Sequence, residues 1–370
     1  MNSLPKIDIM EATRLTREGR LQEAMAVLRG GAGPEARPAA GAPEAQPGTG
    51  FLSRLRRLAN APAGHGGPRP APEPMPGGAR FLTKSFTNAA GTRAYKVYIP
   101  SSYVGDPVPL VVMLHGCTQS ADDFAAGTRM NVLAEDMRFI VVYPEQSKAA
   151  NSSKCWNWFN PADQRRDSGE PSIIAGVTRQ VMRDYAVEPT QVYAAGLSAG
   201  GAKAAILGVA YPDLYAAVGV HSGLAGGSAR DVATAFAAMR KGAAPGARQP
   251  GDRSQPAPAI VFHGDRDATV HPSNGEHVIS QARPGEPHAG TLSVEVRTGS
   301  SPGGVGFTQT IHAAPDGRSV LEHWTLHGSG HAWSGGSPAG TYTDPKGPDA
   351  SREMLRFFLQ HRTSAQGPAR

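Results

Sequence analysis

The pentapeptide GLSAG at residues 196–200 constrains the fold more than any other stretch of this sequence. It fits the pattern G-x-S-x-G, which places a serine on a sharp turn between a strand and a helix. The flanks agree: Val192 to Ala195 is a short apolar run typical of a buried strand, and Ala202 to Ala210 is rich in helix-forming Ala and Leu. We therefore predict that Ser198 is a nucleophile, with the backbone N–H of Ala199 as an oxyanion donor beside it. The alternative is a serine in an ordinary strand-to-helix turn.

Apolar runs bounded by polar turns recur from about residue 80 onwards. The other predicted strands are Arg93–Ile99, Leu110–Leu114, Phe139–Tyr143, Ala216–Val220, Ala259–Phe262 and Glu322–Leu326. The other predicted helices are Asn131–Met137, Ser172–Tyr185 and Ser351–His361. Strands that alternate with helices favour an α/β fold with a mostly parallel central sheet and helices on both faces. Two insertions are predicted: Gly242 to Pro258, whose role as a lid stays open, and the irregular loop Gly299 to Gly306.

The composition divides the chain into three parts. Residues 1–79 hold a short helical segment, Ile9 to Leu28, and Gly-, Pro- and Ala-rich stretches typical of a largely disordered linker. Between the linker stretches lies a basic amphipathic patch, Phe51 to Leu58, which is either a solvated helix or a weak contact to an anionic surface. Residues 80–362 are predicted to form the catalytic domain, and residues 363–370 a disordered tail.

Charge and apolar patterning exclude several functional classes. The net charge is +6, but no aromatic residues are interleaved with the N-terminal arginines, so no nucleic-acid site is expected. No stretch reaches the roughly 18 apolar residues that a membrane helix needs. Charged residues occupy Met1 to Arg20, where the apolar part of a secretory signal would lie, so the sequence predicts a cytoplasmic protein. The 2 cysteines are too few for a zinc site, and no metal or cofactor is expected.

A catalytic serine needs a histidine as base and an acid that orients the histidine. In an open α/β sheet these partners stand in loops after later strands. The loop after Phe262 carries two acids, and Asp267 is favoured over Asp265 because it lies further along the loop. The loop after Leu326 carries the favoured base, His331, to which Gly328 and Gly330 give backbone freedom. The order Ser, Asp, His is that of α/β-hydrolases. The competing histidines are His221, His263, His271 and His327.

A second oxyanion donor is expected in the segment HGCTQ at 115–119, which follows a predicted strand. The backbone N–H of Cys117 is the candidate, alone or together with that of Thr118. Cys117 also has a candidate partner in Cys155, and a bridge would hold the oxyanion loop against an aromatic loop. The alternative is two reduced cysteines, which the redox conditions of the cytosol favour.

Aromatic side chains and one amide near these loops are candidates for substrate binding. They are Trp156, Trp158, Trp333 and Gln119. Trp156 and Trp158, together with Phe159, would either line an acyl or aromatic subsite or pack beneath a loop. Trp333 follows His331 closely and can pack beside it.

Seven motifs together are typical of one known family. They are LHGCTQS at 114–120, YPEQ at 143–146, CWNWF at 155–159, GLSAGG at 196–201, HSGL at 221–224, FHGDRDATVHP at 262–272 and GHAW at 330–333. Over about residues 80–362, the chain resembles the esterase family of polyhydroxybutyrate (PHB) depolymerases, which is similar to feruloyl and acetylxylan esterases. The resemblance implies an α/β-hydrolase fold, a serine esterase mechanism, and Ser198, Asp267 and His331 as the triad. It also favours the bridge between Cys117 and Cys155.

These observations predict a serine carboxylesterase that hydrolyses esters of short hydroxyalkanoates through an acyl-serine intermediate. The expected partner is an ester substrate, either a hydroxyalkanoate oligomer or polymer or an acylated fragment of a plant polymer. Feruloyl or acetylxylan esterase activity on the same site is the alternative. A serine peptidase and a non-catalytic granule-binding homologue are alternatives of other classes. The family resemblance also implies an extracellular location as the alternative to the cytoplasm.

Overall fold

The computed structural model describes residues 70–243, 255–285 and 292–364. Its first strand begins at Arg80, next to the predicted start of the catalytic domain. Several predictions lie outside the described residues: the helix Ile9–Leu28, the patch Phe51–Leu58, most of the insertion Gly242–Pro258 and most of the C-terminal tail. They stay predictions.

A ten-stranded sheet forms the centre of the described part of the chain. Its strands are β1 Arg80–Asn88, β2 Gly91–Ile99, β3 Val108–Leu114, β4 Ile140–Pro144, β5 Val187–Leu197, β6 Ala217–His221, β7 Ala259–Gly264, β8 Ser293–Ser300, β9 Gly306–Ala313 and β10 Ser319–Leu326. Their spatial order is β1-β2-β4-β3-β5-β6-β7-β10-β9-β8. The run β4-β3-β5-β6-β7-β10 is parallel, whereas the strands at both edges pair antiparallel. The predicted, mostly parallel central sheet is confirmed.

Helices cover both faces of this sheet. They are α1 Ala121–Thr128, α2 Met130–Met137, α3 Gly169–Asp184, α4 Ala199–Ala210, α5 Val232–Lys241, α6 Ser273–Ala282 and α7 Ala350–Phe358. Successive residues of the central strands point to opposite faces, so Val112 packs in one buried cluster with α3 and α4, and Val111 packs in the other with α1, α2 and α7. Burial on both faces explains why the central strands are continuously apolar.

The edges of the sheet were not predicted. The strands β1, β8 and β9 and the helices α1, α5 and α6 are absent from the sequence-based interpretation. Strand β8 has the sequence SVEVRTGS and is exposed along nearly its whole length, so no apolar run marks it. The predicted loop Gly299 to Gly306 is correspondingly shorter, because β8 continues to Ser300 and β9 begins at Gly306.

The carboxyl ends of the parallel strands meet along one edge of the sheet. The paired residues there are Leu114 with Gly196, Leu197 with His221, His221 with Phe262, and Gly264 with Leu326. The segments that follow β3, β5, β7 and β10 carry Cys117, Ser198, Asp267 and His331 in turn. The register therefore gathers the predicted site residues at a single edge.

Two glycines allow the turn after β5 to lie directly against β3. A Cβ on Gly196 would stand 2.4 Å from the carbonyl carbon of Gly200, and a Cβ on Gly200 would stand 2.0 Å from the carbonyl oxygen of Leu114. These neighbours are backbone atoms, which cannot rotate away. Glycine is required here because the chains approach too closely for any side chain.

We expect Gly200→Ala to lower the free energy of unfolding by about 3 kcal/mol or more, since overpacking against fixed backbone is costly. Chemical denaturation followed by circular dichroism measures the change. Gly77→Ala is the matched control, because no atom lies within 4 Å of a Cβ at that position. Equal stability of the two variants would contradict the close-contact argument.

Candidate active site

Ser198 stands on a strained turn between β5 and α4. Its backbone has φ 57° and ψ −119°, a conformation that a non-glycine residue rarely adopts and that costs roughly 1–3 kcal/mol. The serine N–H donates to the carbonyl of His221 at 2.9 Å, and the serine carbonyl accepts from Ala202 N–H at 2.9 Å, which starts the helix. The side chain lies at the surface end of the turn, where the residue retains 9% exposure. This local geometry is that of a nucleophile elbow.

His331 and Asp267 are hydrogen-bonded to each other. The Nδ1 atom of His331 lies 2.7 Å from Oδ2 of Asp267. The other carboxylate oxygen accepts two backbone N–H bonds, from Thr269 at 2.8 Å and Val270 at 2.9 Å. Burial by itself would raise the pKa of Asp267, but the charge of His331 and hydrogen bonds from His263 and His331 lower it well below its usual range. Asp267 therefore stays ionised and fixes the tautomer of His331.

The other acid of this loop has a different task. Asp265 accepts the backbone N–H of Gly328 at 2.7 Å and pairs with Nδ1 of His327 at 3.1 Å. Both side chains are partly exposed. Asp265 thus braces the turn that leads to His331, and the structure brings Asp267, not Asp265, to the predicted base.

The predicted hydrogen bond between Ser198 and His331 is not formed in this structure. Among the described residues, no hydrogen bond joins the hydroxyl of Ser198 to His331, whose Nδ1 is held by Asp267. Hydrogen bonds of this kind often tighten only when a substrate occupies the site. Because Nδ1 is bonded to Asp267, Nε2 is the ring nitrogen of His331 that Asp267 does not engage.

His221 is a buried neighbour of the site rather than a base. Its Nε2 accepts the backbone N–H of Ser334 at 3.0 Å, and its ring stacks on Trp333 with 5.2 Å between ring centroids. Burial lowers the pKa of His221 to about 3, with further contributions from the charges of His263 and His331. Neutral His221 holds the segment that follows His331 against β6.

The amides predicted as oxyanion donors lie at two adjoining backbone turns. The amide of Ala199 is at the first position of α4, where helical N–H groups have no partner within the helix. A Cβ on Gly116 would lie 3.6 Å from Cβ of Ser198, so the loop of Cys117 adjoins the serine. The amide of Thr118, the alternative donor, already donates to the carbonyl of Ser153 at 2.7 Å. Cys117 and Ala199 therefore remain the proposed pair.

The oxyanion loop is tied firmly to the segment 145–158. Cys117 and Cys155 form a disulfide, so the predicted bridge is confirmed. The indole of Trp156 donates to the carbonyl of His115 at 3.1 Å. The Nε2 atom of His115 accepts the backbone N–H of Gln146 at 3.0 Å, while its Nδ1–H donates to the carbonyl of Gly116 at 2.7 Å. Burial lowers the pKa of His115, which keeps the neutral form that both bonds require.

The residues predicted to bind substrate are buried. Trp156 and Trp158 are 0% and 5% exposed. Trp333 is 1% exposed and donates from its indole to the hydroxyl of Ser351 at 3.0 Å. Gln119 is 3% exposed, accepts from Gly116 N–H at 2.9 Å, and donates to Asp123 at 2.8 Å. Packing and loop bracing account for all of these side chains, so we carry none of them into the proposal as substrate contacts.

Two features escaped the sequence-based interpretation. The hydroxyl of Tyr342 lies 3.3 Å from that of Thr118, which joins the loop after His331 to the oxyanion loop. Lys203 on α4 is fully buried and forms an ion pair with buried Glu170 at 3.0 Å. Glu170 also accepts the backbone N–H of Asn157 at 2.8 Å, so the pair ties the helix after Ser198 to the aromatic segment. A lysine among Gly and Ala in the helix after a catalytic-type turn was the available signal.

Neither a metal cluster nor a membrane helix occurs in the part of the chain that the structure describes. No group of three or more His, Cys, Asp or Glu side chains there is arranged to hold a metal ion. None of the helices formed by those residues is long and apolar enough to span a bilayer.

Comparison with known proteins decides the family. The family described as Esterase PHB depolymerase matches residues 93–285. The chain belongs to this family. The resemblance stated from the sequence motifs is thereby confirmed.

Two curated relatives of this esterase-family chain have different substrates in their names. Poly(3-hydroxyalkanoate) depolymerase C of Paucimonas lemoignei is 31% identical over 268 residues, which cover 70% of this chain and 61% of that protein. Feruloyl esterase B of Thermothelomyces thermophilus is 30% identical over 268 residues, which cover 68% of this chain and 87% of that protein. The esterase-family chain therefore spans less than two thirds of the depolymerase.

A solved structure agrees with the fold of the esterase-family chain. An acetyl xylan esterase from Aspergillus awamori superposes with a TM-score of 0.59 at 20% sequence identity, covering 77% of this chain and all of that one. The α/β-hydrolase fold is confirmed.

The stability of this esterase-family protein should depend on His221 in acid. The pKa of His221 is about 3 in the folded state, below about 6.5 in the unfolded chain. Its contribution is therefore fully present above about pH 6.5 and is lost as the pH falls towards 3, at up to about 1.4 kcal/mol per pH unit. We expect His221→Gln, which keeps an acceptor for Ser334 N–H and does not titrate, to flatten that part of the profile. Urea denaturation at a series of pH values measures it, and parallel curves for the two proteins would contradict the assignment.

Proposed function

We propose that this protein is a serine carboxylesterase that hydrolyses esters of short hydroxyalkanoates through an acyl intermediate on Ser198. The observation that carries the proposal is the 2.7 Å bond between His331 and buried Asp267, at the sheet edge where strained Ser198 also stands. A base oriented by a buried acid at the same sheet edge as a serine hydroxyl is the arrangement that acyl transfer requires. Family membership supports the same reaction class.

The acylation step follows from this geometry. Oγ of Ser198 attacks the carbonyl carbon of the ester, and Nε2 of His331 takes the hydroxyl proton. The carbonyl oxygen becomes an oxyanion and accepts bonds from the N–H groups of Cys117 and Ala199. Asp267 stabilises the imidazolium that forms. The ester C–O bond then breaks, and the leaving alkoxide takes the proton from His331.

Deacylation repeats the sequence with water. His331 removes a proton from water, the hydroxide attacks the acyl carbon, and the same two amides stabilise the second oxyanion. When the intermediate collapses, Ser198 recovers its proton from His331 and the carboxylic acid leaves.

The named relatives support two substrate classes. Similarity to a poly(3-hydroxyalkanoate) depolymerase supports hydroxyalkanoate esters as the substrate of this protein. A feruloyl esterase with nearly the same sequence identity to this chain supports acylated plant polymers as the second candidate. A serine peptidase is the less favoured reaction, because we find no charged pair at the described site that would hold a peptide terminus.

We expect purified protein to release p-nitrophenol from p-nitrophenyl butyrate with a burst and to leave aminoacyl anilides intact. Ser198→Ala should lose activity by at least about 1,000-fold and should not be labelled by a fluorophosphonate, because the nucleophile is gone. A panel of hydroxybutyrate oligomers, ferulate esters and acetylated xylan then separates the two substrate classes.

The two aspartates of one loop provide the matched control. Asp267→Asn should lower kcat by about 10,000-fold, because an amide no longer holds the required tautomer of His331. Asp265→Asn should retain activity within a few-fold. Equal effects of the two substitutions, or full activity of Ser198→Ala, would contradict the proposed triad.

We further propose that the protein works in an oxidising compartment. Disulfides persist outside the cytosol and are rare within it, and Cys117 is bonded to Cys155. This bond favours the extracellular alternative over the cytoplasmic expectation. Mass spectrometry of protein collected from its native compartment without reductant should find the two cysteine peptides joined, and two free thiols would contradict the assignment.

A further inference from the structure

His263 is a buried histidine that lies directly behind the triad acid. It stands near the end of β7, opposite Thr325 of β10, and is 1% exposed. Its Nε2 lies 2.9 Å from the carbonyl oxygen of Val270 and 3.5 Å from Oδ2 of Asp267. Both neighbours are acceptors, so the proton of the ring must be on Nε2. His263 thus directs an N–H towards Oδ2 of Asp267, the same oxygen that accepts from His331.

The contact closes a small network around the carboxylate. The carbonyl of Val270 accepts from His263, while the N–H of the same residue donates to Oδ1 of Asp267 at 2.9 Å. The ring therefore holds the backbone of Val270, whose N–H in turn holds the carboxylate, and it also faces Oδ2 itself. Nδ1 of His263 is buried and has no hydrogen-bond partner among the described residues. The ring therefore makes its polar contacts through Nε2 alone. A buried polar atom left unpaired costs free energy, which a functional role explains.

We propose that His263 is a positioning residue of the triad, which holds the carboxylate of Asp267 in line with Nδ1 of His331. The inference rests on the proposed esterase function. When His331 takes the proton of Ser198, its Nδ1–H bond to Asp267 carries most of the stabilisation of the new charge. A carboxylate that rotates loses this bond in the transition state more than in the ground state, so kcat suffers and KM does not.

The same contact should set the pH at which the enzyme loses activity in acid. The titratable groups that face Asp267 and His331 are His263 from β7 and His221 from β6, while Asp265 is engaged with His327. The N–H of His263 holds Oδ2 in line with Nδ1 of His331, where the negative charge of the carboxylate favours protonated His331. Without it, a rotated carboxylate stabilises protonated His331 less, so the acid limb of kcat/KM moves to lower pH.

Two amide substitutions separate positioning from packing. The Gln side chain in His263→Gln can place its NH2 where Nε2 stands, whereas the shorter Asn in His263→Asn reaches only the position of Nδ1. We expect His263→Asn to lower kcat by about 10- to 100-fold with KM little changed, and to move the acid limb downwards by about half a pH unit. His263→Gln should retain kcat within a few-fold and the wild-type limb.

A neighbouring histidine is the control for buried substitution. A Cβ on Gly275 would lie 2.9 Å from Nε2 of His323 and 3.1 Å from Nδ1 of His263, so both rings pack against Gly275. His323 is on β10, and none of its hydrogen bonds in the described residues reaches Asp267; burial lowers its pKa to about 4. His323→Asn should change the midpoint of urea unfolding but not the acid limb. The proposal is overturned if the acid limb of kcat/KM moves equally in His263→Asn and His323→Asn, or if it moves in neither variant.

A measurement on the wild-type protein covers the case in which His263→Asn fails to fold. Nitrogen-15 NMR of histidine-labelled protein reports which ring nitrogen carries the proton, and His263→Gln assigns the signal. Protonation on Nε2 supports the network, and protonation on Nδ1 overturns it. If the wild-type protein hydrolyses no ester, the proposed function fails while this measurement still decides the geometry.

Discussion

The contact between the start of α4 and the end of β3 is the constraint on which the site depends. Gly196 and Gly200 let the turn after β5 lie against the carbonyl oxygen of Leu114 with no side chain between them. This approach holds the strained backbone of Ser198 in place and brings the oxyanion loop beside it. The strain of that serine persists because packed backbone on several sides leaves it no other conformation.

A second layer of contacts keeps the oxyanion loop from moving. The disulfide between Cys117 and Cys155, the indole of Trp156 and the ring of His115 all join this loop to the segment 145–158. Trp156 and His115 are fully buried and the two cysteines are partly buried, so the loop is fixed before any substrate arrives. Donors that need no rearrangement during the reaction stabilise a developing oxyanion most effectively. The ion pair of Lys203 and Glu170 extends the same support to α4.

Burial of Asp267 gives the site its electrostatic character. A carboxylate with little water around it acts strongly on the few groups within reach, which here are two histidines and two backbone amides. Asp265, two residues earlier, is exposed and serves only the turn. The difference between the two acids is therefore one of depth rather than chemistry.

The sequence by itself determined the nucleophile turn, the parallel centre of the sheet and the family, because each leaves a local pattern: glycines around a serine, apolar runs, ordered motifs. The sequence favoured Asp267 over Asp265 by its place in the loop, but only the tertiary structure showed that Asp267 bonds His331 while Asp265 bonds His327. It also placed Trp156 in the core rather than against a substrate. The edge strands were also found only in the tertiary structure. An exposed strand such as β8 takes its conformation from pairing with a neighbouring strand and not from its own apolar pattern.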